Sequence, residues 1–229
     1  MKLGIMQPYF LPYIGYFQLI KAVDKYVIYD DVNFIKGGWI NRNNILVNGN
    51  KFMFNLILNG ASSNKLINEI YISPNQSKLL KTIENSYKNS AYFEFVFPIM
   101  IRIFEYSDKN LAKFIGNSIV EICNYLNIDT EIVYSSELDK NDDLKGQDKV
   151  IDICKLLKVD SYINAIGGQE LYCKDNFKRE GINLQFLKSN LVHYTQFRNE
   201  FISGLSILDV IMFNSPDDTN EMIKKFILL

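Results

Sequence analysis

An α/β fold with a parallel sheet of about five strands is the architecture this sequence predicts. Three observations predict it. Within the first 29 residues a short apolar run, an amphipathic stretch and a second apolar run follow one another. That is the order of a right-handed strand-helix-strand crossover, which makes its two strands parallel. Beyond residue 129, strand-like and helix-like segments alternate regularly, as in sheets covered on both faces. The composition, 48% hydrophobic and 14% aromatic over 229 residues, supplies one substantial core and excludes disorder as the main state.

Residues 2–6 read as a short buried strand, followed by a proline-punctuated turn and an amphipathic helix over 14–22. Residues 25–29 are β-branched and aromatic, a strand ending at Asp30-Asp31. Runs at 44–47 and 51–57 flank Asn48-Gly49-Asn50, a hairpin signal because a type I′ turn needs positive φ at both central residues. Residues 67–72 read as a further strand, and Ser73-Pro74 as the N-cap and N1 proline of a helix reaching Tyr87. Helices are expected over 91–106, with Pro98 inside, and from a cap at Ser107 or Asp108 to Leu126. The regular part then gives strand 130–134, helix 147–157, strand 161–166, helix 175–180 and strand 183–187, with closing helices at 205–213 and 216–228. The sum is a single Rossmann-like α/β domain over 1–229, with residues 32–129 inserted and carrying the hairpin and helices.

Charge and rare residues narrow the function classes. With 25 basic against 26 acidic side chains, net charge -1 and pI near 5.9, the chain lacks the basic face that displaces counterions from nucleic acid. Its 1 histidine, His193, excludes His-rich metal sites and two-imidazole mechanisms, and no metal site is expected. The 3 cysteines, Cys123, Cys154 and Cys173, form no CxxC pair, so reduced thiols and a cytoplasmic location are expected. Gln7, Pro8 and Pro12 interrupt any signal-peptide core, and the longest apolar run, 95–101, is too short to span a membrane. The chain reads as mature from Met1.

Ligands of open parallel sheets bind beyond the carboxyl ends of the strands. The first such loop packs Tyr9, Phe10, Tyr13, Tyr16 and Phe17 close together, stiffened by Pro8 and Pro12, with Gly15 admitting a ligand to the backbone and Gln7 offering an amide. A hydrophobic plug under the sheet edge is the alternative. The second loop holds Asp30 and Asp31 at a strand end, Lys36, Trp39, Arg42 and Asn43. Its carboxylates suit sugar hydroxyls or a divalent ion, its cations a phosphate; a solvated loop with an N-capping aspartate reads equally. The third, Asn164 to Glu170, has a double glycine that is a phosphate nest or a tight turn. His193, in LVHYTQF beside Gln196, lies past the last strand of the parallel sheet and suits general-base work on an amine or hydroxyl, or a structural role. Ser206 and Asp209 share a helical face, where capping is the plain explanation.

The segments MQPYFLPYIGYFQLI, VDKYVIYDDVNF, GGWINRNNI, HYTQF and LSILDVIMFN, in this order along nearly the whole chain, together resemble the WbqC-like protein family. Members of that family are typically encoded in gene clusters for bacterial surface polysaccharide, including O-antigen. The resemblance implies a transferase of lipopolysaccharide biosynthesis that moves an acyl or aminoacyl group, glycyl-like, onto a nucleotide-linked amino sugar. On that reading Gln7, Tyr9, Phe10, Tyr13, Gly15 and Tyr16 orient the nucleotide sugar, Lys36 and Arg42 meet its diphosphate, and Asn43 is a further substrate-binding residue. Asp30 or Asp31 binds sugar hydroxyls. His193, with Asp30 as the second catalytic candidate, takes the proton of the attacking amine, and Gln196 lies beside it. The partners implied are the nucleotide-linked sugar and an acyl- or aminoacyl-carrier protein; no cofactor is identified. A remoter similarity is to nucleotidylyltransferases, whose first loop bears a T/HxGH motif. Here Tyr13-Ile14-Gly15-Tyr16 stands in that place, with phenols that supply no positive charge near neutrality. A non-catalytic partner that holds a sugar nucleotide or carrier protein is the third reading.

Overall fold

A computed structural model describes residues 1–190, 192–197 and 200–229. The fold is α/β, with a mixed, mostly parallel sheet of six strands and two small two-stranded sheets. Strand β1 (Lys2–Met6) leads into helix α1 (Ile14–Lys21) and strand β2 (Lys25–Ile28). β1 alternates cleanly. Leu3 and Ile5 enter one core cluster, while Gly4 on the other face lies under the Tyr26 ring, which a Cβ would approach to 3.1 Å. The absence of a side chain there lets α1 settle close onto the sheet.

Between β2 and its parallel neighbour β7 (Glu131–Tyr134) the chain makes a long excursion. Strands β3 (Arg42–Val47) and β4 (Asn50–Asn55) pair antiparallel, with Val47 opposite Asn50 and Asn48 and Gly49 at φ 50° and 74°. Short strands β5 (Leu58–Asn59) and β6 (Tyr71–Ile72) follow, then helices α2 (Ser77–Tyr87), α3 (Phe93–Glu105) and α4 (Leu111–Tyr125). Two details differ from expectation. The run at 67–72 breaks into a 3-10 turn at Ile67–Glu69 before β6, because the Glu69 carboxylate accepts the Leu66 N–H at 2.8 Å and winds the backbone. Ser73 and Pro74 do not start α2. The Gln76 side chain is captured by both backbone groups of Ile57, at 3.2 and 2.9 Å, and by the Ser73 carbonyl at 3.0 Å, so the helix starts after it.

α4 is capped by Asn110, whose side chain accepts the N–H groups of Ala112 and Lys113 and donates to the Asn68 carbonyl at 2.6 Å. Asn110→Ala removes the cap and the tether together. Its expected cost is about 1–2 kcal/mol, measurable as a lowered urea midpoint with an unchanged slope.

After β7 come α5 (Gly146–Leu156), β8 (Ser161–Ala165), α6 (Lys174–Arg179), β9 (Asn183–Ser189), α7 (Ile207–Phe213), α8 (Pro216–Ile223) and β10 (Phe226–Leu228). The sheet order is β7-β2-β1-β8-β9-β10. From β1 the chain builds outward to β2 and β7 on one side and to β8 and β9 on the other, so the order reverses between β1 and β8. The expected closing helix over 216–228 stops early. Gln18, buried on α1, donates to the carbonyls of Met222 and Lys225 at 3.2 and 3.0 Å, ending α8. The last residues then pair antiparallel with the open edge of β9, Leu228 opposite Leu187, giving the sixth strand that periodicity alone read as helix.

Two clusters sandwich the sheet. One, with α5 and α6, centres on Tyr162, Phe177 and Phe186; the larger joins α1, the inserted helices and α7 around Phe10, Tyr26 and Phe114. Among the described residues no helix is long and apolar enough to cross a membrane.

Candidate functional site

The carboxyl ends of the five parallel strands form one edge of the sheet, and two hollows open there on either side of the reversal point. The first depends on the loop after β1. Phe10 N–H donates to the Ile40 carbonyl at 2.9 Å and Ile207 N–H to that of Pro12 at 2.7 Å; the Leu11 carbonyl accepts Asn43 Nδ2 and Ser206 Oγ, both at 2.7 Å. These bonds hold Leu11 at φ 45°, a left-handed conformation that costs a non-glycine residue about 1–2 kcal/mol. The loop is therefore preorganised.

That geometry divides the aromatics. Phe10 and Phe17 are fully buried, and Phe10 sits among Phe54, Phe104 and Phe114 at 5.8–6.0 Å. Tyr16 is buried too, its hydroxyl donating to the Gln7 carbonyl at 2.9 Å. Phe10 and Tyr16 thus support the loop from behind, and only Tyr9 and Tyr13 reach the surface. Gly15 serves Tyr13: a Cβ there would lie 2.3 Å from its ring, so the space that could admit a ligand to the backbone is filled by the phenol.

Tyr9, Pro12, Tyr13, Trp39, Asn43 and Gly204 enclose about 220 Å³. A hollow of about 300 Å³, sharing Tyr13 and Gly204 and adding Val192, Tyr194 and Phe201, continues it. Arg42 lies over Trp39, 5.6 Å from the ring centroid, and its enclosed Nε has no hydrogen-bond partner among the described residues. Lys36 is exposed on the same loop, while half-buried Gln7 lines neither hollow. Asn43, reached by the Asn44 N–H at 2.8 Å, spends its amide on the backbone. His193 is exposed, its ring 4.6 Å from that of Phe201.

Behind this groove lies a polar network. Asp209, fully buried on α7, accepts hydrogen bonds from the hydroxyls of Tyr87 and Tyr194 at 2.8 and 2.6 Å and from Gln196 Nε2 at 2.7 Å. Tyr87 in turn accepts the Leu46 N–H at 3.0 Å, and Gln196 holds both backbone groups of Ile202. Gln196 is therefore a strut of the groove wall. Burial raises the Asp209 carboxyl above its ordinary range, and the three donors offset this only in part. Ser206 caps α7 through the Leu208 N–H at 3.1 Å, leaving Asp209 to the network.

The second hollow, about 580 Å³, lies beyond β2 and β7. Asp30, expected to face substrate, is turned inward and binds the Ser136 N–H at 3.0 Å and hydroxyl at 2.6 Å; burial raises its carboxyl despite those bonds. Asp31 faces the cleft. Its Oδ2 meets Lys140 Nζ at 2.7 Å and Lys149 Nζ at 2.9 Å, and the two lysine side chains are only 2% and 7% exposed. Burial pushes the Asp31 carboxyl up, but these two cations outweigh it and hold it below the ordinary range. Sequence reasoning missed both lysines. Lys149 carried a signal, since it shares the buried stripe of α5 with Val150, Ile153 and Cys154. Lys140 sits in a polar stretch that reads as solvated.

The structure thus divides the predicted site residues. Tyr9, Tyr13, Asn43 and Arg42 gather at the aromatic groove with Lys36 on the loop beside it, while Asp31 belongs to the charged cleft. The third loop is a 3-10 helix, Ile166–Leu171, with Asn164 of β8 packed beneath Gly168. Among the described residues no three His, Cys, Asp or Glu side chains are placed to hold a metal ion.

A model of the WbqC-like protein family matches residues 7–221. The chain is also similar to the uncharacterized protein Rv1507c of Mycobacterium tuberculosis, 24% identical over 218 residues that cover 93% of each chain. No solved structure matches.

Proposed function

The chain belongs to the WbqC-like protein family, and from that premise we propose that it is a transferase of bacterial surface polysaccharide (O-antigen) biosynthesis, passing an acyl or aminoacyl group to the amine of a nucleotide-linked amino sugar. The observation that carries this reading is the aromatic groove. Tyr13 and Trp39 line one slot, from two loops tied together by the Phe10–Ile40 backbone bond, and a base stacked on such rings gains about 1–3 kcal/mol. Arg42, its guanidinium over Trp39 beside that slot, supplies charge-assisted donors to the diphosphate, and Lys36 adds a second cation from the loop. The family resemblance carries the transfer step, and the exposed imidazole of His193 beside Phe201 is the group in this region suited to deprotonate the attacking amine.

The step balances without an oxidant. The amine nitrogen forms a bond to the acyl carbon of a carrier thioester, the carbon–sulfur bond breaks, and the proton taken by His193 passes to the departing thiolate. Phe10, Tyr16 and Gln196 position the walls of the groove, whereas Asp30, held by Ser136, lies away from it.

A UDP-linked amino sugar at 100 times its Kd is expected to raise the melting temperature by about 5–10 °C. Tyr13→Ala should abolish the rise. His193→Gln should keep the rise and lose turnover in an acyl-transfer assay; unchanged turnover would assign the proton transfer elsewhere. If no nucleotide-linked sugar stabilises the protein more than the free sugar does, the proposal fails.

A further inference from the structure

The hollow that continues the aromatic groove is walled mainly by carbon. Ile14, Val192, Phe201, Leu205 and Val210 give it aliphatic and aromatic surface, and Leu205 and Val210 are buried. Tyr194 adds its ring, because its hydroxyl is engaged behind the wall, donating to Asp209 at 2.6 Å and accepting Gln196 Nε2 at 3.2 Å. The polar residues Asn190 and Ser203 are exposed and stand at the mouth. Among the described residues no Asp or Glu lines either this hollow or the slot beside it. Lys51 Nζ lies 3.6 Å from where a Cβ on Gly204 would stand, and Gly204 lines both, so the charge at their junction is positive.

These features choose between the two donor classes of the transferase reading. An aminoacyl group carries an ammonium, which here would leave water, meet no carboxylate and approach a lysine; an unpaired charge is costly to desolvate. An alkyl chain has the opposite balance, since each buried methylene raises affinity roughly fourfold. At about 300 Å³ the hollow holds more than an acetyl group fills. Its edge is also where the chemistry stands. The His193 ring lies 4.6 Å from that of Phe201, and Tyr13 and Gly204 are shared with the slot assigned to the nucleotide sugar. A chain laid tail-first in the hollow leaves its carbonyl at the junction, between the imidazole and the sugar.

We infer that the donor is the thioester of a short unbranched fatty acid, butanoyl to hexanoyl in length, with its alkyl chain in this hollow; the inference rests on the transferase reading and narrows its donor. The amine nitrogen bonds to the thioester carbonyl carbon, the carbon–sulfur bond breaks, and the proton passes through His193 to the thiolate. Hexanoyl, acetyl and glycyl amides of N-acetylethylenediamine, which copy the end of a carrier thioester with nitrogen in place of the reactive sulfur, serve as probes. They are titrated calorimetrically into the full chain. The hexanoyl amide should bind at least about tenfold more tightly than the acetyl amide, and the glycyl amide no more tightly than the acetyl one. Ser203→Trp, at an exposed position where an indole fills the mouth, should weaken hexanoyl binding at least about tenfold at an unchanged melting temperature. Phe201→Ala, which removes a wall, should weaken it at least about threefold. Trp39→Ala, which alters the slot alone, should leave hexanoyl binding as it is and remove the melting-temperature rise given by a UDP-linked amino sugar. Equal binding of the hexanoyl and acetyl amides, tightest binding of the glycyl amide, or hexanoyl binding that survives both Ser203→Trp and Phe201→Ala would overturn the inference. Hexanoyl binding lost on Ser203→Trp in a protein that no nucleotide-linked sugar stabilises would uphold the acyl site and remove the sugar reading alone.

Discussion

Asp209→Ala is expected to destabilise the protein by about 3–5 kcal/mol, the largest single effect of any polar substitution considered. Asp209 is 0% exposed, and its carboxylate takes three hydrogen bonds from two segments: α2 through Tyr87, and the chain before α7 through Tyr194 and Gln196. Alanine leaves the hydroxyls of Tyr87 and Tyr194 without their acceptor and takes one partner from the Gln196 amide, and the groove wall loses its anchor. Asp209→Asn keeps the shape and one acceptor and should cost about 1–2 kcal/mol. Urea unfolding measures both. The pH dependence has a definite sign. Because burial raises the Asp209 carboxyl above 3.8 in the fold, the folded state holds a proton that the unfolded chain has released, and stability falls as pH rises through that window. Asp209→Asn should remove that slope. A slope that persists in the variant would locate it in another group, such as Asp30, whose carboxyl is raised by the same cause.

Asp31→Ala comes second, at about 2–3 kcal/mol. It strands two nearly enclosed ammonium groups, although Lys140 keeps Asp142 at 3.1 Å and the Ser135 carbonyl at 2.7 Å, and Lys149 keeps the carbonyl of residue 31 at 3.1 Å. The sign here is opposite. The Asp31 carboxyl is held below 3.8 in the fold, so its contribution is complete above that value and is lost as pH falls through the folded range. Adding Lys149→Met to Asp31→Ala should recover part of the loss, because the second change removes a stranded charge. Strictly additive losses in that cycle would show that Asp31 and Lys149 are not coupled.

The readable elements were those with local causes. β1, α1 and β2 follow from short-range periodicity, and α7 and α8 start at Ser206 and Ser215, whose hydroxyls accept the first free N–H groups. The misread elements were decided at a distance. α2 begins late because Gln76 is held by Ile57, and α8 ends early because Gln18 on α1 captures the Met222 carbonyl in its last turn and the Lys225 carbonyl just beyond it. The site divides in the same way. Loop 7–13 was recognisable by its aromatics, but Leu11 at positive φ chose which rings face out, and its restraints come from Ile40, Asn43 and Ser206.

By itself the sequence determined the α/β class, the family and the two stretches, after β1 and after β2, where chemistry gathers, because strand-end position and residue type are local properties. Only the tertiary structure decided that Phe10 and Tyr16 are core, that Asp209 is a buried anchor, and that Asp31 meets Lys140 and Lys149 across more than a hundred residues. The reason is physical. Burial and charge pairing depend on what the rest of the chain folds against a residue, and that partner is set by packing across the sheet.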